Sequence, residues 1–451
     1  MNSRAEFICI SGPDKGKHIN LSDQAVTLGR SSSCGLFSDD PELGNDRIAL
    51  ALRDGKLVFR ASSNAKVFVD GVPTPKGALA MGQQLRAGRS FWQFGEARLN
   101  GAARKAGGVI DQVGQAIHSA IGLGQQERVN VKEVFSSVAK KREERDLTEF
   151  FTRGTSRNTP DLREIDTGWP KPWVFFKALV LTVVVYMGFV FAYKQFQNLN
   201  LIPGMIMVGA SAIPITVVIF YFEMNAPRNV SLHRVIWLLL VGGIASLVTS
   251  LFGFQAFDQS LGWLGASSAG IIEESGKLLA LLIVVNQLRY RWTLNGLLFG
   301  GTVGAGFAAF ESAGYAFRSG LADYTQYTLG LAPANLAGVF ESIWVRGLLT
   351  PGGHVAWTAL VGAALWKVRG DQRFSLSMLK DERFLRVLAL SMGLHMVWNS
   401  PLQLPYFGKY LILMGVAWMA IFGFIQDGLN QIRDVQEEEK HKGSKRQRIK
   451  G

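Results

Sequence analysis

The sequence predicts a multi-domain chain: a small all-β sandwich, then a polytopic all-α membrane domain of about eight transmembrane helices. Three observations carry this. Residues 5–99 hold short runs in which apolar and polar residues alternate, broken by turn residues, as in half-buried strands. Residues 173–426 hold long apolar runs, and about 20 such residues cross a bilayer as a helix. The basic residues between and after those runs sort to one side under a single topology. At 451 residues the chain is also too long for one ordinary domain.

The strand runs include Glu6-Phe7-Ile8-Cys9-Ile10, Lys56-Leu57-Val58-Phe59-Arg60 and Lys66-Val67-Phe68-Val69-Asp70-Gly71. Arg53-Asp54-Gly55-Lys56 reads as a hairpin turn. The expected sandwich covers residues 1–100. Cys9 and Cys34 are the two cysteines, without CxxC or metal spacing. They predict no disulfide framework and suit a reducing compartment. Met1-Asn2-Ser3-Arg4-Ala5-Glu6 does not read as a signal peptide.

Residues 101–172 read as a charged, amphipathic linker. Val109, Ile110, Val113, Ile117 and Ile121 are near helical spacing, but glycines weaken the pattern, and a weakly ordered connector is expected. Lys140–Arg145 reads as a solvated face, and Pro160, Pro170 and Pro172 close the linker. Spans are predicted at about 173–193, 202–222, 235–255, 270–288, 294–317, 352–368, 384–401 and 407–426. The apolar segment 331–349 carries Glu341 and Arg346. If it does not cross, the basic groups at 228–234, 289–291 and 367–383 fall inside together with the tail 427–451. That predicts both termini in the cytoplasm and 331–349 as a re-entrant or surface helix outside. The net charge of +13 is then largely topological, and no nucleic-acid partner is expected.

One stretch breaks the apolar pattern: Ile271-Ile272-Glu273-Glu274-Ser275-Gly276-Lys277-Leu278. A charge at membrane depth costs about 2.5–3.5 kcal/mol on insertion scales, and three stand here within five residues. The predicted topology puts Glu273 and Glu274, Glu311, His354, and His395 with Asn399 at a similar depth on four helices. Glu273 and Lys277, Phe307 and Glu311, and His395 and Asn399 are i,i+4 pairs that share a helix face. Gly300-Gly301-Thr302-Val303-Gly304-Ala305-Gly306 would let helices approach closely.

Histidines with a carboxylate suit zinc, and a second carboxylate could then act as general base. A metal-free site with a carboxylate activating water is the other option. Lys277 could neutralise a carboxylate or bind an oxyanion, and Asn399 could orient a ligand or hold a carbonyl. Singly, each residue has a plainer reading. Glu273–Lys277 reads as a buried ion pair, His354 as a helix cap after Pro351-Gly352-Gly353, and His395 as an interhelical hydrogen bonder. Glu223, Glu341 and Asp258 read as interface residues.

The soluble part resembles a forkhead-associated (FHA) domain, through Val26-Thr27-Leu28-Gly29-Arg30-Ser31 and Val67-Phe68-Val69-Asp70-Gly71. The resemblance implies phosphopeptide contact through Arg30. Where the family has Ser-Arg-x-His, this chain has Asp46-Arg47-Ile48-Ala49, and the family's contacting Asn falls at Asn64 or Ala65. A protein-recruiting scaffold that ignores phosphate is the other reading.

The membrane part is similar to the PrsW family of intramembrane proteases, related in pattern to the CAAX prenyl endopeptidase superfamily. EExxK is met by Glu273-Glu274-Ser275-Gly276-Lys277, and FxxxE by Phe307-Ala308-Ala309-Phe310-Glu311. A histidine after a Pro-Gly turn is met by His354, and His-x-x-x-Asn by His395-Met396-Val397-Trp398-Asn399. The resemblance implies peptide-bond hydrolysis at or near the membrane, of the site-1 kind that cuts membrane-bound anti-sigma factors, and the predicted topology puts it in the cytoplasmic (inner) membrane. It leaves metallo- and glutamic-protease mechanisms both open. The expected roles are Glu274 as general base with Glu273 as its neighbour or stand-in, and Glu311, His354 and His395 as metal (zinc) or substrate ligands. Lys277 and Asn399 would support them. The expected partners are a membrane-protein substrate, the lipid bilayer, and a cytoplasmic protein at the FHA-like part. The rival functions are a non-enzymatic membrane scaffold and a transporter, the latter without the internal repeat transporters often show.

Overall fold

The computed structural model describes residues 5–21, 24–31, 34–43, 46–53, 55–62, 67–69, 71–96, 100–124, 126, 129–141, 143–155, 157–330 and 336–450. The chain divides into two compact units, residues 1–110 and 111–451.

The first unit contains eleven strands among its described residues. They are β1 (Ala5–Ser11), β2 (His18–Leu21), β3 (Val26–Gly29), β4 (Leu36–Phe37), β5 (Arg47–Arg53), β6 (Lys56–Ala61), β7 (Val67–Val69), β8 (Val72–Pro73), β9 (Lys76–Leu79), β10 (Gln84–Ala87) and β11 (Ser90–Glu96). One sheet runs β2-β1-β11-β10-β7-β8 and the other β4-β3-β5-β6-β9. The alternation read in the sequence sets the faces. In β6, Leu57 and Phe59 turn into the core while Lys56, Val58 and Arg60 face out. Phe7 stacks on Trp92 with centroids 5.3 Å apart, amid Leu28, Ile48, Leu50 and Phe94. The predicted hairpin pairs Arg53 with Lys56, and Gly55 takes φ +73°, a left-handed conformation glycine adopts without steric cost. Asp54, Lys66, Asp70 and the Asn64/Ala65 position lie outside the described residues.

Thirteen helices follow among the described residues. They are α1 (Asn100–Ala120), α2 (Val131–Val134), α3 (Glu144–Phe151), α4 (Val174–Phe196), α5 (Ile202–Met224), α6 (Leu232–Trp237), α7 (Gly243–Leu261), α8 (Ala269–Val285), α9 (Thr293–Thr328), α10 (Ala337–Leu349), α11 (His354–Arg369), α12 (Glu382–Asn399) and α13 (Gly408–Lys450). A π turn, Leu238–Gly242, joins α6 to α7. Helices stand at all eight predicted places. Among the described residues, six stretches are long and apolar enough to cross a membrane: 174–196, 199–224, 232–257, 293–328, 337–369 and 405–441. Of the other two predicted spans, α8 has only 17 residues and α12 opens on Glu382, Arg383 and Arg386. The count of eight is therefore approximate.

Of the segment 331–349, the described residues 337–349 form α10, whose 13 residues reach about 20 Å, short of a hydrocarbon core of about 30 Å. Thr350–Gly352 turns it into α11. The tail is helical as well, since α13 runs on to Lys450.

The expected weakly ordered linker is corrected by the second unit. Ile121, Leu123, Phe150 and Ile165 are buried in the same core as the membrane helices. His118 Nε2 lies 2.7 Å from the Met419 carbonyl oxygen of α13. Enough apolar side chains stand in this stretch to offset its glycines once a helical surface is present to receive them.

Glycine sets the central packing. An added Cβ on Gly296, Gly300 or Gly304 would run into the backbone oxygens of Gly362, Thr358 and His354. One glycine per turn thus lets α9 lie directly on α11 and brings the start of α11 against the middle of α9.

Candidate active site

Four helices converge as their polar residues predicted. α8 supplies Glu273, Glu274 and Lys277, α9 Glu311, α11 His354, and α12 His395 and Asn399. Lys277 is fully buried, and its ammonium lies 2.7 Å from Glu274 Oε1, 2.9 Å from His354 Nδ1 and 3.6 Å from Glu273 Oε2. It also sits 4.2 Å from the centre of the Phe307 ring. That contact gives the phenylalanine of the FxxxE motif a physical task, since an aromatic face attracts a cation.

An ammonium has donors and no acceptor, so Lys277 must donate to His354 Nδ1. The remaining ring nitrogen, Nε2, then carries the proton and donates to Glu311 Oε2 at 3.0 Å. His354 is the first residue of α11 after Gly353, and both its ring nitrogens are engaged in the cluster. His395 Nδ1 pairs with Glu274 Oε1 at 3.0 Å, and its ring stacks on Trp357 with centroids 4.4 Å apart. A carboxylate on Nδ1 leaves the His395 Nε2 lone pair facing the site, an arrangement common behind metal-bound histidines.

The two adjacent glutamates have different surroundings. Glu274 is 1% exposed, bonded to Lys277 and His395, and does not line the cavity beside it. Glu273 does line it. Its Oε2 is buried without a hydrogen-bond partner, 3.8 Å from both His354 Nδ1 and His395 Nε2. The cavity holds about 620 Å³, with Glu273, Glu311, Arg346, His354, His395 and Asn399 on its wall. Leu251, Phe254, Tyr315 and Trp398 make other parts of it apolar or aromatic. Asn399 donates from Nδ2 to the Ala266 carbonyl at 3.3 Å.

Donor atoms of Glu273, His354 and His395 lie within 4.8 Å of one another, a group that could hold a metal ion. The fit has a physical basis. Glu273 Oε2 and His395 Nε2 are both acceptors, and two facing acceptors need a cation or proton donor between them. Two imidazoles with one carboxylate also suit zinc. The ligand set differs from the expected one. Glu311 lies outside this group, and its Oε2 accepts from His354 and Arg346.

Arg346 is the residue that sequence reasoning passed over. It stands on α10, bonds the Glu311 carboxylate and donates from Nε to Ser312 Oγ at 2.9 Å. The only available signal was a lone arginine in an apolar segment, which read as topology. Trp357 was also missed, one helical turn beyond His354.

The other singled-out residues are placed apart from this cluster. Glu223 caps α4, accepting the amides of Trp173, Val174 and Phe175 at 2.7–2.9 Å. In the first unit, Asp46 accepts from Ser62 Oγ at 2.8 Å, and Arg30 is exposed.

Residues 226–425 match the family described as PrsW family intramembrane metalloprotease. This part of the chain is therefore a PrsW-family protease domain, and the chain is a multi-pass membrane protein with an intramembrane protease core. A search of the curated proteins finds no match. Among solved structures, the chain is similar to one titled "Structural and functional analysis of phosphothreonine-dependent FHA domain interactions". Identity is 17%, over 21% of this chain and 99% of that one, with a TM-score of 0.19. The FHA domain of CT664 protein from Chlamydia trachomatis matches at 17% identity over 21% and 98%, TM-score 0.19. The cytoplasmic domain of the T3SS sorting platform protein PscD from P. aeruginosa matches at 16% over 21% and 82%, TM-score 0.20.

Proposed function

We propose that this protease hydrolyses peptide bonds of membrane-associated proteins, as in site-1 cleavage of an anti-sigma-factor-like substrate, with Glu273 as the group that activates water. One observation carries the reading: a buried carboxylate oxygen without a hydrogen-bond partner, on the cavity wall, equidistant from two histidine nitrogens. Glu274, the expected base, lacks access to the cavity, and its Oε1 is already engaged by Lys277 and His395. It serves better as the support that orients His395.

The chemistry follows from these positions. Water beside Glu273 gives its proton to the free carboxylate oxygen as its own oxygen attacks the substrate carbonyl. The same oxygen then hands that proton to the leaving amine, as a carboxyl group acting first as base and then as acid can do. His354 and His395 point nitrogens at the same space, and Asn399 lies on the wall where it can hold a substrate carbonyl. In the metal-assisted alternative Glu273, His354 and His395 would instead hold a zinc ion, which would supply Lewis acidity and a water of lowered pKa. His354 could join only if Lys277 releases its Nδ1.

The decisive experiment compares Glu273→Gln with Glu274→Gln in cells, reading membrane-protein cleavage products by N-terminal proteomics. Products absent with Glu273→Gln but reduced with Glu274→Gln support the assignment, and products that persist with Glu273→Gln refute it. Metal content of the purified protein, beside a folded His354→Ala/His395→Ala variant, separates the two water-activating mechanisms. About one zinc per chain, lost in the variant, favours the metal-assisted one.

The basic loops favour the cytoplasmic membrane with both termini in the cytoplasm. The sandwich then serves as a cytoplasmic recruiting module. Phosphopeptide contact at Arg30 is its weakest feature, because the Asp46 carboxylate stands where the family pattern has serine.

A further inference from the structure

The site has a fifth contributor. We infer that Arg346 is a positioning residue, clamping Glu311 so that this carboxylate holds His354 in its working orientation. The inference rests on the reading of His354 as part of the site.

Glu311 Oε2 is shared: His354 Nε2 donates to it at 3.0 Å and the Arg346 guanidinium donates to the same atom. Two donors on one oxygen fix it far better than one, and a guanidinium is a strong, directional donor to carboxylate. Arg346 is itself held by a single stretch of α9. It donates to Ser312 Oγ at 2.9 Å and lies 4.3 Å from the centre of the Tyr315 ring. Its side chain is 27% exposed, so it is neither a free surface arginine nor a sealed core residue.

Charge makes the clamp necessary. Three carboxylates, Glu273, Glu274 and Glu311, gather around the two histidines, with Lys277 and Arg346 as their cations. Without Arg346, Glu311 keeps only a neutral imidazole as partner on that oxygen and feels the repulsion of Glu273 across the site. The carboxylate would then swing toward the water of the cavity and release His354 Nε2. α10, the helix outside the converging four, is by this argument part of the active site.

The test reads the hydrogen bond itself and needs no substrate. The full chain, labelled with 15N-histidine and reconstituted in liposomes, is studied by solid-state NMR. A His354→Gln variant assigns the ring signals. Wild type is expected to show one downfield, strongly hydrogen-bonded Nε2–H for His354. Glu311→Gln and Arg346→Met are both expected to lose it, and Arg346→Lys to recover it. If Arg346→Met does not fold, Arg346→Gln is measured in its place, with the same loss expected. An unchanged His354 signal in a folded variant lacking the guanidinium overturns the proposal. This outcome is separable from failure of the catalytic reading, which Glu273→Gln tests alone.

Discussion

Two buried acidic clusters in this chain differ in one respect. In the sandwich, Asp14 and Asp40 are fully buried and every carboxylate oxygen has a partner. Asp14 accepts from Ser38, Lys17 and the Asp39 amide, and Asp40 from Ser90 and the amides of Glu42 and Arg89. In the membrane unit, Glu273 and Glu274 are also buried, yet each leaves Oε2 without a hydrogen-bond partner. Glu223, in that same unit, has both oxygens satisfied by the start of α4. Low polarity around the chain therefore does not explain the orphaned atoms. A satisfied buried carboxylate is a structural element, whereas an unsatisfied one on a cavity wall is held ready for something that arrives.

The comparison is sharpest at Glu273. Its replacement by Gln should lower cleavage by about 10²–10⁴-fold, the usual weight of a general base, with the fold intact by circular dichroism. Glu274→Gln should cost about 10–100-fold, as expected of a residue acting through His395. Equal losses would remove the distinction between the two glutamates.

Gly304→Val tests the packing that brings the site together. Its side chain would press on the His354 carbonyl, and a loss of about 3 kcal/mol, or failure to fold, is expected in thermal unfolding of the solubilised protein. Asp14 tests the satisfied cluster. Burial pushes its carboxyl upward, but the bonds from Ser38, Lys17 and the Asp39 amide outweigh that and hold it below the ordinary carboxylate value. A lowered folded pKa contributes stability above the unfolded value that is lost as pH falls through the folded one. The sandwich should therefore loosen in acid, below the ordinary Asp pKa of 3.8. Asp14→Asn should cost about 2–3 kcal/mol at neutral pH and weaken that dependence, read by hydrogen exchange of the β1 and β11 amides. At the other extreme, Arg145 and Glu149 pair at 2.9 Å with both side chains largely exposed, and Arg145→Ala should change stability by less than about 0.5 kcal/mol.

Much of the site was legible because membrane depth makes polarity conspicuous. Glu273, Glu311, His354 and His395 each interrupt an apolar run, and helical spacing puts them on inward faces. What spacing could not do was rank two neighbouring glutamates, since their difference depends on a rotation of α8 by about 100° per residue. Nor could it find Arg346, whose partner lies 35 positions earlier in the chain. The linker was misread for a related reason. Its glycine-rich pattern is weak alone and becomes a core element only against α13.

Taken alone, the sequence determined the two-part architecture, the strand alternation, the apolar helices, and the set of side chains able to do chemistry. Those follow from local period and from the cost of placing charge in an apolar run. Only the tertiary structure decided which oxygens have no hydrogen-bond partner, which glutamate reaches the cavity, and that a helix too short to span delivers the arginine. These are relations between atoms distant in sequence. They are set by how closely α9 and α11 approach, and that approach is fixed by packing across the whole bundle.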